Sequence, residues 1–354
     1  MNKTMDSQNI QIGTFEIGQN NRPFVIAEMS GNHNQSLSRA LEIVKAAAEA
    51  GAHAVKLQTY TADTMTVKGA YTIHDDNSLW NGRELYDLYK EAYTPWEWHK
   101  PIFEYAKELG MICFSSPFDE TAVDFLEELN APLYKIASFE NTHHPLLKKV
   151  AKTGKPVIMS TGVSSIGDIM ESVQVLRDNG CKELMLLKCT STYPSTPENT
   201  NLATIPALQQ IFPDCLIGLS DHTMGIGVAV ASVALGARVI EKHFTLSRAD
   251  GGVDSAFSTE PAEMKALVTE TERAFQALGK IQLTVQKAEE KSLFFKRSVY
   301  VVEDIEAGES FTTSNTRVIR PGDGLAPKHY DEVLRSVASQ KIPKGTALKP
   351  KHIG

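Results

Sequence analysis

Cysteine is scarce in this chain, with four in 354 residues, and no two of them stand in a CxxC spacing. Nothing in that pattern suggests disulfides. Cys113, Cys181, Cys189 and Cys215 mostly sit in apolar runs, as in Met111-Ile112-Cys113-Phe114, and read as buried structural thiols. An apolar run of about 18 residues, the length that crosses a bilayer, is also missing. The polar start MNKTMDSQNIQ lacks the apolar core of a signal peptide, so the expectation is a soluble, cytoplasmic protein. Basic excess is absent too: 36 Lys and Arg against 43 Asp and Glu leave a net charge of −7. That balance speaks against general binding to nucleic acid or anionic membrane, so an anionic ligand needs a local cluster of lysines or arginines.

What is present is ordinary globular composition, 42% hydrophobic and 22% charged, enough for a large core. From residue 24 to about 245, short apolar runs alternate with stretches of helical period. The candidate strands are Phe24–Glu28, Ala54–Gln58, Met111–Ser115, Tyr134–Ser138, Pro156–Ser160, Leu184–Lys188, Leu216–Ser220 and Val239–His243. Helical patterns lie between them, as in Leu37–Ala50, Pro95–Leu109, Ala122–Leu129, Ile166–Asn179 and Ile226–Leu235. About eight βα units in roughly 220 residues is the pattern of an α/β TIM barrel. The competing doubly wound sheet usually has a glycine-rich phosphate loop after its first strand, and Glu28-Met29-Ser30-Gly31-Asn32-His33 is no such loop. The connection from Tyr60 to about Tyr93 is far longer than usual and should overhang the mouth.

After a last helix at about Glu260–Leu278, the texture changes. The predicted organisation is a barrel over 1–280, a charged linker over 281–294 and a small, turn-rich β domain over 295–354. A domain of about 60 residues is marginal alone and should pack on something else.

In a barrel of this kind the active site lies at the C-terminal strand ends. The polar residues that close the runs are Glu28, Lys56, Gln58, Ser115, Ser116, Lys135, Ser138, Glu140, Ser160, Lys188, Ser191, Ser220, His222, Glu241 and His243. Any one could be structural, but barrel geometry aims them at one pocket. Lys56, Lys135, Ser160 and Ser220 could surround a doubly charged phosphate. Ser220-Asp221-His222-Thr223 and Glu241-Lys242-His243-Phe244 close adjacent strands, so two imidazoles share a rim. They suit a divalent metal with open positions, or they are histidines hydrogen-bonded in the barrel top. Glu28 is either a base across the mouth or the ion-pair partner of Lys56. His143-His144 opens a helix beside Pro145 and reads as structural, because adjacent helix positions diverge. The Gly251-Gly252-Val253-Asp254 stretch suggests a mouth loop, and core packing is the default for at least one of Trp80, Trp96 and Trp98.

Taken together, Ala27-Glu28-Met29-Ser30-Gly31-Asn32-His33, Val55-Lys56-Leu57-Gln58, Ser115-Ser116-Pro117-Phe118-Asp119, Lys135-Ile136-Ala137-Ser138-Phe139-Glu140, Ser160-Thr161-Gly162, Cys189-Thr190-Ser191-Thr192-Tyr193-Pro194, Gly218-Leu219-Ser220-Asp221-His222-Thr223 and Glu241-Lys242-His243-Phe244-Thr245 resemble the sialic acid synthase family. The tail, with Lys296-Arg297-Ser298 and Arg320-Pro321-Gly322-Asp323-Gly324, resembles that family's antifreeze-like (SAF) domain. Leu79-Trp80-Asn81-Gly82-Arg83 and Pro95-Trp96-Glu97-Trp98 look most like the pseudaminic acid synthase branch. Ser191 stands where the sialic acid branch typically shows Asn.

The resemblance implies a transferase that condenses phosphoenolpyruvate with 2,4-diacetamido-2,4,6-trideoxy-altrose. The alternative is an N-acetylneuraminate or legionaminate synthase using N-acetylmannosamine or another diacetamido hexose. It further implies His222 and His243 on Mn2+ or Mg2+, and Lys56, Lys135, Ser138, Ser160 and Ser220 on phosphoenolpyruvate. Glu28 would help deliver water, while Glu140, Ser191 and Tyr193 would touch the sugar. Arg320 would reach the sugar from the partner subunit of a domain-swapped homodimer. Rival chemistries are a Schiff-base aldolase at Lys135 or Lys188, tested by borohydride trapping with pyruvate, and a synthase acting on a sugar phosphate. A purely carbohydrate-binding or scaffold role leaves the convergence of Lys, His and Glu unexplained.

Overall fold

Eight strands rich in Val, Ile, Leu and Ala run parallel and close on themselves in the computed structural model, which describes residues 9–76 and 78–354. They are β3 (Phe24–Glu28), β4 (Ala54–Thr59), β5 (Ile112–Pro117), β6 (Tyr134–Ile136), β7 (Val157–Ser160), β8 (Leu184–Cys189), β9 (Leu216–Asp221) and β10 (Val239–His243), with β10 pairing back onto β3. Each lies within a residue or two of the run expected from the sequence. Tyr134–Ser138 is cut short: its strand stops at Ile136, and Ser138–Glu140 turns into a 3-10 helix. All five strand residues of β3 and of β10 are buried, as parallel strands sandwiched between an interior and a ring of helices must be.

The helices carry the expected stop and start chemistry. Ser36 caps Leu37–Glu49 by accepting from Arg39 N, and Asp119 caps Glu120–Glu128 by accepting from Thr121 N and Ala122 N. Ser165 and Asp168 form a capping box on Ile166–Asp178. His143 stands just before the helix His144–Ala151, so the histidine doublet marks a helix start.

Two apolar layers follow from the two-residue period of the strands. Val25, Ala27, Val55, Leu57, Leu184, Leu186 and Ile217 face the helices. Phe24, Ile26, Ala54, Phe114, Ile158, Met185, Leu187, Leu216 and Val239 fill the barrel interior at its N-terminal end. A feature the sequence reading did not anticipate closes that end. The hairpin of β1 (Ile10–Ile12) and β2 (Phe15–Ile17) buries Ile10, Ile12 and Ile17 in the interior cluster. Its signal was present in the alternation Ile10-Gln11-Ile12 and Phe15-Glu16-Ile17 around Gly13-Thr14, but strands of three residues are shorter than the usual pattern.

The chain forms two compact units, Met1–Gly279 and Lys280–Gly354. In the second, β11 (Ser298–Val301) pairs antiparallel with β12 (Thr316–Ile319), and Val299, Val301, Ile305, Phe311, Ile342 and Leu348 form its own core. The charged stretch read as linker begins a 3-10 helix at Lys287–Phe295. Among the described residues, no helix is long and apolar enough to cross a membrane.

Candidate active site

The same period that buries Phe24, Ala54, Ile158, Leu216 and Val239 at the barrel floor turns Glu28, Lys56, Ser160, Ser220 and Glu241 inward at the other end. Register then sets their neighbours: Glu28 pairs with Lys56 on one side and with His243 on the other, and Glu241 pairs with Ser220.

Glu28, Lys56, Lys135 and Glu241 form a solvent-excluded cluster, exposed by only 1%, 3%, 2% and 5%. The Lys56 ammonium pairs closely with Glu28 and lies 3.9 Å from Glu241 Oε1; Lys135 Nζ lies 3.4 Å from that same oxygen. Lys56 donates to Ser116 Oγ at 3.2 Å, Gln58 Nε2 donates to Glu28 Oε1 at 3.0 Å, and Ser220 Oγ donates to Glu241 Oε1 at 3.3 Å. Two ammoniums thus stand against two carboxylates in a dry site, where charge interactions are strong. Burial pushes the Glu28 carboxyl up to about 7, more than Lys56 pulls it down. Burial likewise lowers the Lys135 ammonium below its usual value, against the pull of Glu241. Lys56, despite burial, is held above its usual value by Glu241 and Glu28. Glu241 stays ionised because Lys135 and Lys56 outweigh its own burial.

A second corner is built from hydroxyls and backbone. Gly162 N donates to Ser138 Oγ at 3.2 Å, and Ser160 Oγ is buried without a hydrogen-bond partner among the described residues. Gly162 has to be glycine for closeness: a Cβ there would come 2.3 Å from Ser191 Oγ and 2.7 Å from Ser138 Oγ. An unpaired hydroxyl on β7, the strand next to the one that carries Lys135, fits an anionic group.

Across the mouth the two imidazoles meet with ring centroids 5.3 Å apart, and the Tyr193 ring lies 4.4 Å from His222. His222 Nδ1 is 2.9 Å from the Thr190 carbonyl, which fixes that nitrogen as the N–H and leaves Nε2 as the donor atom for a metal. His243 Nδ1 is buried and makes no hydrogen bond among the described residues, while Asp254 Oδ2 stands 4.0 Å from it. Burial, then the neighbouring His222, hold the His243 imidazole well below its ordinary value, so it is neutral at pH 7. A neutral, orphaned ring nitrogen beside a second imidazole and a carboxylate is a donor set that suits a divalent cation. Among the described residues, no cluster of three or more His, Cys, Asp or Glu converges at ligand distance, so water and substrate oxygens would complete such a site.

Above this floor lies a cavity of about 460 Å³, lined on its polar side by Glu140, Ser191, Tyr193, His243 and Asp254. The long connection after β4 does overhang it: Met65, Ile73, Trp80, Leu85 and Tyr89 form a wall. Trp96, by contrast, stacks on Phe125, and Trp98 packs against His33, in line with the core expectation for those indoles. Burial pushes Glu140 up to about 7.

Two acidic residues were not among the predicted site residues. Glu241 was noted as a strand end, yet its position between both lysines makes it the counter-ion of the cluster. Asp254 sits in the stretch read as a mouth loop, where Ser30 Oγ donates to its carboxylate and buries it. Its Gly-Gly-Val-Asp context carried no spacing signal. Cys189 is buried as expected, but it faces inward beside Ser191, and His222 holds its thiol down at about 6 against its burial.

Lys188 points out of the barrel, onto Thr190 Oγ1, so the aldolase reading at that lysine has no geometric support. Arg320 belongs to the second unit and is exposed there, next to Pro321.

Comparison with known proteins gives a consistent picture. The NeuB family model matches residues 43–283 and the SAF domain model matches residues 296–354. Pseudaminic acid synthase from Campylobacter jejuni is 43% identical over 343 residues, covering 96% of this chain and 98% of its own. Pseudaminic acid synthase from Helicobacter pylori is 41% identical over 330 residues, covering 92% and 96%. Among solved structures, N-acetylneuraminic acid synthetase from Leptospira borgpetersenii, in complex with citrate, superposes with a TM-score of 0.73 at 33% identity, covering 81% of this chain and 95% of that one. With a closed parallel barrel that carries this cluster and a C-terminal SAF domain, the chain belongs to the NeuB family.

Proposed function

We propose that this chain is a cytoplasmic synthase that joins phosphoenolpyruvate to 2,4-diacetamido-2,4,6-trideoxy-altrose, giving pseudaminic acid and phosphate. The observation that carries the reading is the convergence, at one end of the barrel, of Lys56 and Lys135 around Glu241 and of the His222–His243 pair, whose His243 also lines the cavity. Identities above 40% to pseudaminic acid synthases over nearly the whole chain support the branch.

In this reading Lys56, Lys135, Ser138, Ser160 and Ser220 hold the phosphate and carboxylate of phosphoenolpyruvate, a trianion that a −7 protein binds only through such a local cluster. Glu140, Ser191 and Tyr193 orient the open-chain sugar so that its aldehyde carbon faces the enol methylene. The methylene carbon attacks the aldehyde, whose oxygen takes the proton of the neutral Glu28 carboxyl to become a hydroxyl, leaving a carboxylate there. The resulting oxocarbenium-like carbon adds water, with Glu28 taking the water's proton; a carboxyl held near 7 exchanges protons readily at neutral pH. Breaking the carbon–oxygen bond to phosphate then leaves the keto acid. His222 and His243 would hold Mn2+ or Mg2+, and a bound divalent ion supplies Lewis-acid polarisation of the aldehyde.

The proposed domain organisation is a barrel over 1–280, a linker over 281–294 and the SAF domain over 295–354. We further propose that two chains exchange their SAF domains, each placing Arg320 at the partner's sugar site. Ile281, Leu283, Phe294 and Phe295 are 91%, 93%, 57% and 59% exposed, a density of bare apolar side chains that a partner surface would cover. The reading is tested by phosphate release from phosphoenolpyruvate with manganese, comparing the altrose sugar, its legionaminic counterpart and N-acetylmannosamine, with chelator controls. Release with the altrose sugar supports the branch. Release only with N-acetylmannosamine moves the chain to sialic acid synthesis, and release with none overturns the substrate class.

A further inference from the structure

One wall of the cavity has little hydrogen-bonding capacity, and the fold holds it in place. Met65, Ile73, Leu85 and Leu88 line it with hydrocarbon and thioether. The segment that carries them is not a loose lid. Ile73 N donates to the Arg83 carbonyl at 2.9 Å, Gly82 N donates to the Ile73 carbonyl at 2.8 Å and Leu85 N donates to the Tyr71 carbonyl at 3.0 Å. This short ladder sets Ile73 and Leu85 at its base. At the tip, the Trp80 indole N–H donates to the Val253 carbonyl at 3.1 Å, tying the wall to the loop that presents Asp254. The Trp80 and Tyr193 rings, 6.1 Å apart, meet across the cavity.

The cavity is therefore two-sided. Glu140, Ser191 and Asp254 offer acceptors and donors on one side, and on the other the connection after β4 offers a patch of Met65, Ile73, Leu85 and Leu88, with Tyr60, Ser78 and Tyr89 also in its lining. A sugar hydroxyl turned to that wall loses its water without replacement, whereas a methyl gains from burial.

We infer that the wall formed by Met65, Ile73, Leu85 and Leu88 selects the acceptor sugar: it takes the edge that carries methyl groups, the deoxy-carbon methyl and an N-acyl methyl, and discriminates against the hydroxymethyl analogue. This rests on the proposed condensation with an acylated amino sugar, and it assigns to named side chains the choice of a deoxy sugar over its oxygenated counterpart.

The test is kcat/KM from phosphate release for 2,4-diacetamido-2,4,6-trideoxy-altrose and for the same sugar bearing a 6-hydroxyl. Wild type, Ile73→Thr and Met65→Gln are compared. Met65→Gln exchanges thioether for amide at nearly constant volume, Ile73→Thr exchanges hydrocarbon for hydroxyl with the loss of one methylene, and Ile73→Val, isosteric with threonine, is the apolar control. Wild type should prefer the deoxy sugar by about tenfold or more. Both polar variants should compress that ratio by about threefold or more, mainly by losing the deoxy sugar, while Ile73→Val keeps it. A wild-type ratio near one overturns the inference, as does a ratio that neither polar variant changes. Wild type releasing no phosphate with either sugar overturns the proposed condensation itself, a result distinct from turnover without discrimination.

Discussion

Lys242 Nζ lies 2.8 Å from Asp221 Oδ2, with side chains 1% and 0% exposed. The two residues precede His243 and His222 on neighbouring strands and point out of the barrel while the histidines point in. Asp221 Oδ1 also accepts from Thr223 N at 2.9 Å and Thr223 Oγ1 at 2.8 Å, and Lys242 donates to the Thr223 carbonyl. The pair therefore bolts together the two strand ends that carry the imidazoles.

Removing one partner leaves the other charge buried and unpaired. Lys242→Met should destabilise the protein by about 3–5 kcal/mol in denaturant unfolding, and the double variant Lys242→Met/Asp221→Leu should recover part of that loss. A change below about 1 kcal/mol for Lys242→Met would show that the pair is not needed to hold the rim.

His243→Ala should abolish manganese-dependent phosphate release and weaken manganese binding measured by calorimetry, with the far-ultraviolet circular dichroism unchanged. The His243 ring makes no hydrogen bond through Nδ1 among the described residues, so its loss strands no polar partner of that atom there. Turnover at the wild-type level would remove the histidine pair from the proposed metal site.

Gly162→Ala places a methyl against Ser138 Oγ and Ser191 Oγ, between the groups assigned to the two substrates. We expect KM for phosphoenolpyruvate or sugar to rise by about tenfold or more, since displaced contacts there cost at least about 1.4 kcal/mol. Unchanged kinetics in a folded variant would place the substrates elsewhere.

Glu140 gives a pH signature. Its folded value of about 7 stands above the ordinary 4.5, so the folded state binds its proton more tightly than the unfolded chain does. That contribution to stability is complete below pH 4.5 and is lost as pH rises through 7. The wild-type advantage over Glu140→Gln should thus shrink by about 3 kcal/mol between pH 4.5 and 8, read from unfolding midpoints at each pH. An advantage that grows with pH would mean the carboxylate is stabilised rather than desolvated.

Much of the barrel was legible because burial on both faces leaves continuous apolar runs, and each run ends where a polar side chain enters the mouth. Glu28, Lys56, Ser160, Ser220, His222 and His243 all announce themselves in that way. Residues whose position depends on loops carried no such mark. Asp254 becomes part of the site only because Ser30 and the fold of residues 247–258 turn it inward, and Trp80 only because its indole finds the Val253 carbonyl. Pairing was equally hidden: a sequence can place two lysines and two glutamates at strand ends, but which oxygen lies between both ammoniums depends on barrel closure. Of the two roles offered for Glu28, base or ion-pair partner, the structure shows the ion pair with Lys56, and the base role belongs to the proposed mechanism.

The hairpin that caps the N-terminal end of the barrel makes the enzyme a cul-de-sac. With Ile10, Ile12 and Ile17 packed among Phe24, Ile26 and Phe114, the described residues close the far end, so a product made at the strand ends leaves by the doorway on the side where its precursors came in. Product that lingers then bars the next acceptor, so throughput depends on how quickly the doorway clears as well as on how quickly the bond forms.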